Sequence, residues 1–84
     1  MKQRKRYPLE RLIVVDWDDS SSRGRWSTLD EYRKHSPVLC RSVGYVTHRD
    51  KRGISLVQTM ADNGDVVDAI AIPAGCIRKV RRLT

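Results

Sequence analysis

The sequence predicts a mainly β domain of the α+β type: a small, strongly bent five-stranded antiparallel barrel with one short helix after the first strand. Three observations carry that expectation. The second half of the chain alternates apolar and polar residues with the period of strands. Tight-turn sequences, Asp50-Lys51-Arg52-Gly53 and Asp62-Asn63-Gly64-Asp65, separate those strands. The only stretch with helical start and stop signals, 26–37, is short. At 84 residues the chain makes one domain. A folded chain of this size buries only roughly 60–65% of its extended surface. Homo-oligomerisation is then a natural way to bury more.

Residues 1–8 read as a basic N-terminal arm closed by Pro8, with a single domain over 9–84. Residues 9–17 read as the first strand, centred on β-branched Ile13-Val14-Val15. Residues 18–24 are rich in Asp, Ser and Gly, which favour bent backbone, and read as a loop. The segment WSTLDEYRKHSP follows. Ser27 or Thr28 can cap a helix there, with Asp30 or Glu31 three residues on as the reciprocal partner. Pro37 stops it after about two to three turns. Residues 38–48 form the next strand, in which Gly44 marks a bulge or a close backbone approach. Residues 54–60 and 66–72 are two more strands, joined by Asn63-Gly64 in a type I′ hairpin turn. Pro73-Ala74-Gly75 suits one tight helical turn, and 76–82 closes as a last short strand.

The chain has no Phe, two Trp and three Tyr, so Ile, Val and Leu must build the core. The formal charge of +7 is concentrated at the ends. Lys2, Arg4, Lys5 and Arg6 open the chain, and Arg78, Lys79, Arg81 and Arg82 close it. The nine remaining bases face ten acids, so the body is near neutral. Such ends attract an anionic partner such as nucleic acid, or serve as solvated tails. The longest aliphatic run, residues 12–15, is far short of the roughly 20 residues that cross a membrane, so no membrane contact is expected. The basic start has no apolar segment behind it and does not read as an export signal. Cys40 and Cys76 sit in apolar surroundings and read as reduced and buried.

One motif raises the question of catalysis. The stretch LIVVDWDDSSSRGRW runs an apolar strand into Asp16-x-Asp18-x-Ser20, the spelling of aspartyl-nucleophile phosphatases. In those enzymes the first Asp attacks phosphorus, the second is acid and base, and Mg²⁺ spreads the charge. Residues 64–68, GDVVD, loosely imitate a second acidic motif. Such a sheet is parallel, however, and needs crossovers of a dozen or more residues between neighbours. Hairpin turns make antiparallel pairs instead, and Gly64-Asp65 is explained by its own turn. Asp16, Asp18 and Asp19 are therefore expected to shape the turn at a strand end. No nucleophile elbow, phosphate loop or metal-ligand spacing of His35, His48, Cys40 and Cys76 occurs, so neither an enzyme nor a cofactor is expected.

A binding constellation remains. Trp17 and Trp26 bracket the serine-rich loop, Arg23 and Arg25 lie between them, and Tyr45 and His48 come from the next strand and turn. Arg grips phosphate through two parallel hydrogen bonds, and aromatic faces stack on bases. Each Trp also suits the edge of a core, and Arg23 and Arg25 also suit pairing with Asp18 and Asp19.

Three segments together, VDWDDSSSRGRW, CRSVGYVTHRDKRGISLVQTM and IPAGCIRKVRRL, resemble a family of small proteins encoded in tailed-phage and prophage genomes. The shared features are the strand-Trp-acidic loop and the Trp that opens a short helix. Ser42-Val43-Gly44-Tyr45 follows, with Tyr45 where the family pattern has Trp. The ending is carried by Ile72, Pro73, Ile77, Val80 and Leu83. The resemblance implies a barrel of the Sm-like or Src-homology-like kind and action in the host bacterial cytoplasm. It also favours a non-enzymatic sponge that sequesters a small anionic nucleotide-derived signal of host defence. The alternatives are a barrel that binds RNA or single-stranded DNA, or an adaptor that docks on a host protein through an edge strand.

Overall fold

A computed structural model describes residues 7–84. The basic arm of Lys2, Arg4, Lys5 and Arg6 lies outside the described residues. Five strands form one antiparallel sheet: β1 (Leu12–Asp19), β2 (Val38–Asp50), β3 (Gly53–Met60), β4 (Val66–Pro73) and β5 (Ile77–Arg82). Helix α1 (Leu29–Arg33) follows β1, and a 3-10 turn (Ala74–Cys76) joins β4 to β5. The strand order is β4-β3-β2-β1-β5. Among the described residues the sheet is open, with β4 and β5 as its two edges and no ladder between them.

The sheet curls because β2 serves two partners. Its first half pairs with β1, from Val38 opposite Asp19 to Tyr45 opposite Leu12. Its second half pairs with β3, from Tyr45 opposite Val57 to Asp50 opposite Gly53. Gly44 lies beside the change of partner at Tyr45, and a Cβ there would stand 2.9 Å from the Val57 carbonyl oxygen and 3.0 Å from the Leu56 Cβ. Only glycine lets β3 come this close. The bulge that Gly44 also suggested lies further on, between Val46 and His48, where the extra residue Thr47 shifts the register.

Curling brings the inner faces of distant strands together. Ile13 and Val15 of β1, Ile54 and Leu56 of β3, and Ile72 of β4 form the buried cluster. Trp17, Val46, Ile70, Cys76, Ile77 and Val80 pack around it. The two cysteines are free and half-buried. No helix among the described residues is long and apolar enough to cross a membrane.

Three local expectations are corrected. β1 runs to Asp19, so Asp16, Asp18 and Asp19 lie inside a paired strand and are not its turn. Arginines on neighbouring strands make this tolerable, as described below. Helix α1 has five residues, about half the expected length, because it covers no buried side chain that would extend it. Its cap is Thr28, whose Oγ1 accepts the Glu31 N–H at 3.2 Å. The Asn63-Gly64 turn is one residue longer than type I′. The Gly64 N–H donates to the Ala61 carbonyl, and Gly64 alone takes positive φ, at 100°. The Ala61 N–H then donates to the Asp65 carbonyl, the arrangement of a type I turn closed by a glycine bulge.

Candidate functional site

The loop 20–28 and α1 form a pinned unit beside the end of β1. The Ser21 hydroxyl donates to the Ser36 carbonyl at 2.7 Å and lies 2.8 Å from His35 Nε2. The Tyr32 hydroxyl donates to the backbone carbonyls of Arg23 and Arg25. The His35 ring meets Tyr32 edge-on, with centroids 6.5 Å apart. Backbone carbonyls are thus held inward. The side chains of Arg23 and Arg25 stay exposed, and among the described residues neither has a carboxylate partner. Trp26 follows with its whole side chain bare, at 101% relative exposure. A hydrophobic ring left entirely in water earns no stability within its own chain.

Between loop and helix lies a concavity of about 400 Å³ lined by Ser21, Ser22, Arg23, Lys34, His35 and Ser36, together with Glu31 and Val38. That size falls within the range of small-molecule sites. Lys34 and His35 were not among the sequence-read site residues. Their signal was faint: a basic pair at the end of a capped helix, next to a serine-rich loop.

The acidic motif is accounted for by neighbours. Arg41, opposite Asp16 on β2, grips it with a two-pronged fork of 2.7 Å from Nε and 3.1 Å from Nη2. That hydrogen bond holds the Asp16 carboxyl below its ordinary value, helped by the charges of Arg41, Lys79 and Arg81, and it raises Arg41 in turn. Asp18 is gripped by Arg78 of β5. Asp18 is thus taken by β5 and not by Arg23 or Arg25. Among the described residues no group of three or more His, Cys, Asp or Glu side chains is placed to hold a metal ion.

The sequence-read residues fall into separate places. Arg23, Arg25 and Trp26 share the loop. Trp17 stands behind it, with its indole packed on the core and its N–H donated to Ser42 Oγ at 3.0 Å. Tyr45 lies opposite Leu12, whereas Trp17 lies opposite Cys40. Five residues of strand separate the two positions, about 17 Å. His48 is further still, beyond the bulge, with Nε2 3.8 Å from Asp50 Oδ2. Tyr45 and His48 do not join the loop within one chain. On β5, Arg78 is paired with Asp18, Lys79 and Arg81 flank Asp16, and Arg82 Nε donates to the Thr84 carbonyl.

Comparison with protein-family models, curated proteins and solved structures gives no match for this chain.

Proposed function

We propose that the protein is a non-enzymatic binder that sequesters a small anionic nucleotide-derived ligand against the loop 20–28 and α1. The observation that carries this reading is the pairing of two uncompensated guanidinium groups, Arg23 and Arg25, with the bare indole of Trp26 on one pinned loop. Guanidinium forks suit phosphate, and an exposed indole suits a base. Pinning by Tyr32 and Ser21 lowers the ordering cost on binding. Lys34 adds a donor on the helix side of the groove. The ligand is bound and held: Asp16 and Asp18, the two acids of the phosphatase-like spelling, are engaged by Arg41 and Arg78 and are not offered as nucleophiles.

The curled sheet is the scaffold of a small barrel of the Sm-like or Src-homology-like type, acting as a phage anti-defence protein in the bacterial cytoplasm. Copies associate through the two open sheet edges, which carry opposite charge. Residues 61–73, at the β4 edge, include Asp62, Asp65 and Asp68 and no base, while β5 carries Arg78, Lys79, Arg81 and Arg82 and no acid. Head-to-tail pairing of such edges is heterologous and builds rings when it closes. Nucleic-acid binding by the basic ends is the competing reading. Three of the four β5 bases stand beside Asp16 or Asp18, which reduces the positive field available to a phosphate backbone. The adaptor reading would use the same edges for a host protein.

Absorbance of the purified protein tests the proposal. A raised 260/280 nm ratio that survives high salt, and is lost on joint Arg23→Ala and Arg25→Ala substitution, is the expected result. A ratio stripped by salt and lost on deletion of residues 1–6 would instead favour nucleic acid. Insensitivity to both changes, with no binding of nucleotide or oligonucleotide, would leave the adaptor reading.

A further inference from the structure

We propose a second anion site at the mouth of the curled sheet, where Arg11, Arg49 and Arg82 converge to take a phosphate group. The three come from the segment before β1, from β2 and from the end of β5. They line one concavity of about 450 Å³ with Pro8, Leu9, Glu10, Val46 and His48. Their convergence follows from strand register. Ile13 faces the core, so Arg11, two residues earlier, continues the same face. Arg82 is opposite Ile13 in the β1–β5 ladder and takes that face as well. Arg49 reaches it only through the bulge. Val46 pairs with Leu56, both on the inner face; without the extra Thr47, His48 would be opposite Ile54. With the bulge, Arg49 is opposite Ile54, and His48 moves to Ser55. One inserted residue thus re-aims an arginine into the mouth, a use to which bulges near binding sites are put.

The wall is built before any ligand arrives. The Thr84 hydroxyl donates to the Glu10 carbonyl and accepts the Leu12 N–H, each at 3.0 Å. The Leu83 N–H donates to the Leu12 carbonyl and the Val46 N–H to that of Arg11. Arg82 spends its Nε on the Thr84 carbonyl, which orients its terminal nitrogens. The charged groups lining the concavity are Arg11, Arg49 and Arg82 against one acid, Glu10, which has a partner of its own. His48 is drawn toward Asp50 at 3.8 Å. Three guanidinium groups around apolar Leu9 and Val46 fit a phosphate attached to an organic group. Its source is either a free nucleotide or an oligonucleotide backbone.

The site is independent of the loop, and one experiment separates the two. The full chain, labelled with ¹⁵N, is titrated by NMR with pyrophosphate, with a mononucleotide and with an oligothymidylate at low and high salt. The expected result is movement of the Arg11, Val46, Arg49 and Arg82 amides. Arg49→Gln should weaken that binding on the order of tenfold, the loss of a charge-assisted contact. Arg11→Gln, on the opposite wall, repeats the test should Arg49→Gln misfold. Arg23→Ala with Arg25→Ala should leave the mouth shifts unchanged. Steep salt dependence for the oligomer alone assigns the phosphate to a backbone; tight, salt-tolerant mononucleotide binding assigns it to a nucleotide. Absence of mouth shifts with all three probes, or unchanged affinity in both glutamine variants, overturns the proposal.

Discussion

Gly44→Ala tests the claim that the close approach of β3 to β2 depends on one missing methyl. The added Cβ meets the Val57 carbonyl oxygen at 2.9 Å and the Leu56 Cβ at 3.0 Å. Neither neighbour is the free end of a flexible side chain: one is backbone, and the other belongs to a residue 1% exposed in the core. Overpacking of this kind costs about 1–3 kcal/mol. Against it stands a gain of roughly 0.4–1 kcal/mol from restricting the unfolded chain. At the middle of those ranges the net is a loss of about 1.3 kcal/mol, a sizeable part of the roughly 4–13 kcal/mol expected of a domain this size. Thermal unfolding followed by circular dichroism should show Tm lowered by about 5–10 °C, at roughly 4–8 °C per kcal/mol. Gly24→Ala is the matched control, because a Cβ there meets nothing within 4 Å. It should leave Tm unchanged or slightly raised. A Gly44→Ala protein as stable as the parent would refute the close approach.

Further outcomes follow from particular side chains. Asp16 has its folded pKa lowered below the ordinary 3.8 by Arg41. Its contribution is therefore present above the unfolded pKa and disappears as pH falls through the lower folded value. Asp16→Asn should be less stable than the parent near neutrality, and the two Tm curves should converge as pH falls below the ordinary carboxylate range; parallel curves would sink the pairing. Trp26→Ala should change stability by less than about 0.5 kcal/mol and abolish the readily quenched part of the tryptophan emission. Trp17→Phe, which loses the Ser42 bond, should cost about 1 kcal/mol; the reverse ranking of the two indoles would be decisive against their placement. Thr28→Ala removes the α1 cap, worth about 1 kcal/mol locally. Because α1 buries nothing, amide exchange over Leu29–Arg33 should quicken while global Tm holds.

The hairpin half of the fold was legible because its signals are local. Alternation sets the faces of β3 and β4, and Gly and Asp mark the turns between them. The end of β1 was not legible. Asp18, Asp19 and the serines spell a turn, but Arg41 and Arg78, 23 and 60 residues from Asp18, supply the charge that lets the strand continue. Such partners are known only once the strands are paired. The Thr47 bulge has no sequence mark either, since Val46-Thr47-His48 would suit regular strand equally well. Its consequence is large, because a one-residue shift exchanges the faces of all that follows. The candidate site was half legible. Arg23, Arg25 and Trp26 are neighbours in sequence and share one loop. Tyr45 and His48 were joined to them by residue type alone, and the antiparallel register of β1 and β2 carries Tyr45 to the far end of the sheet from Trp17. Closure into a barrel depended on an edge pairing that no local pattern specifies, and the ladder found is an open one.

Native mass spectrometry of the full chain purified from bacterial cells tests the sequestering function most directly, since it weighs protomers and retained ligand together. The account predicts an oligomer carrying a bound nucleotide-sized mass, and the same oligomer without that mass after Arg23→Ala and Arg25→Ala substitution. A parent protein that carries no such mass and gains none when nucleotides are added, or a ligand retained undiminished by the double variant, would contradict it.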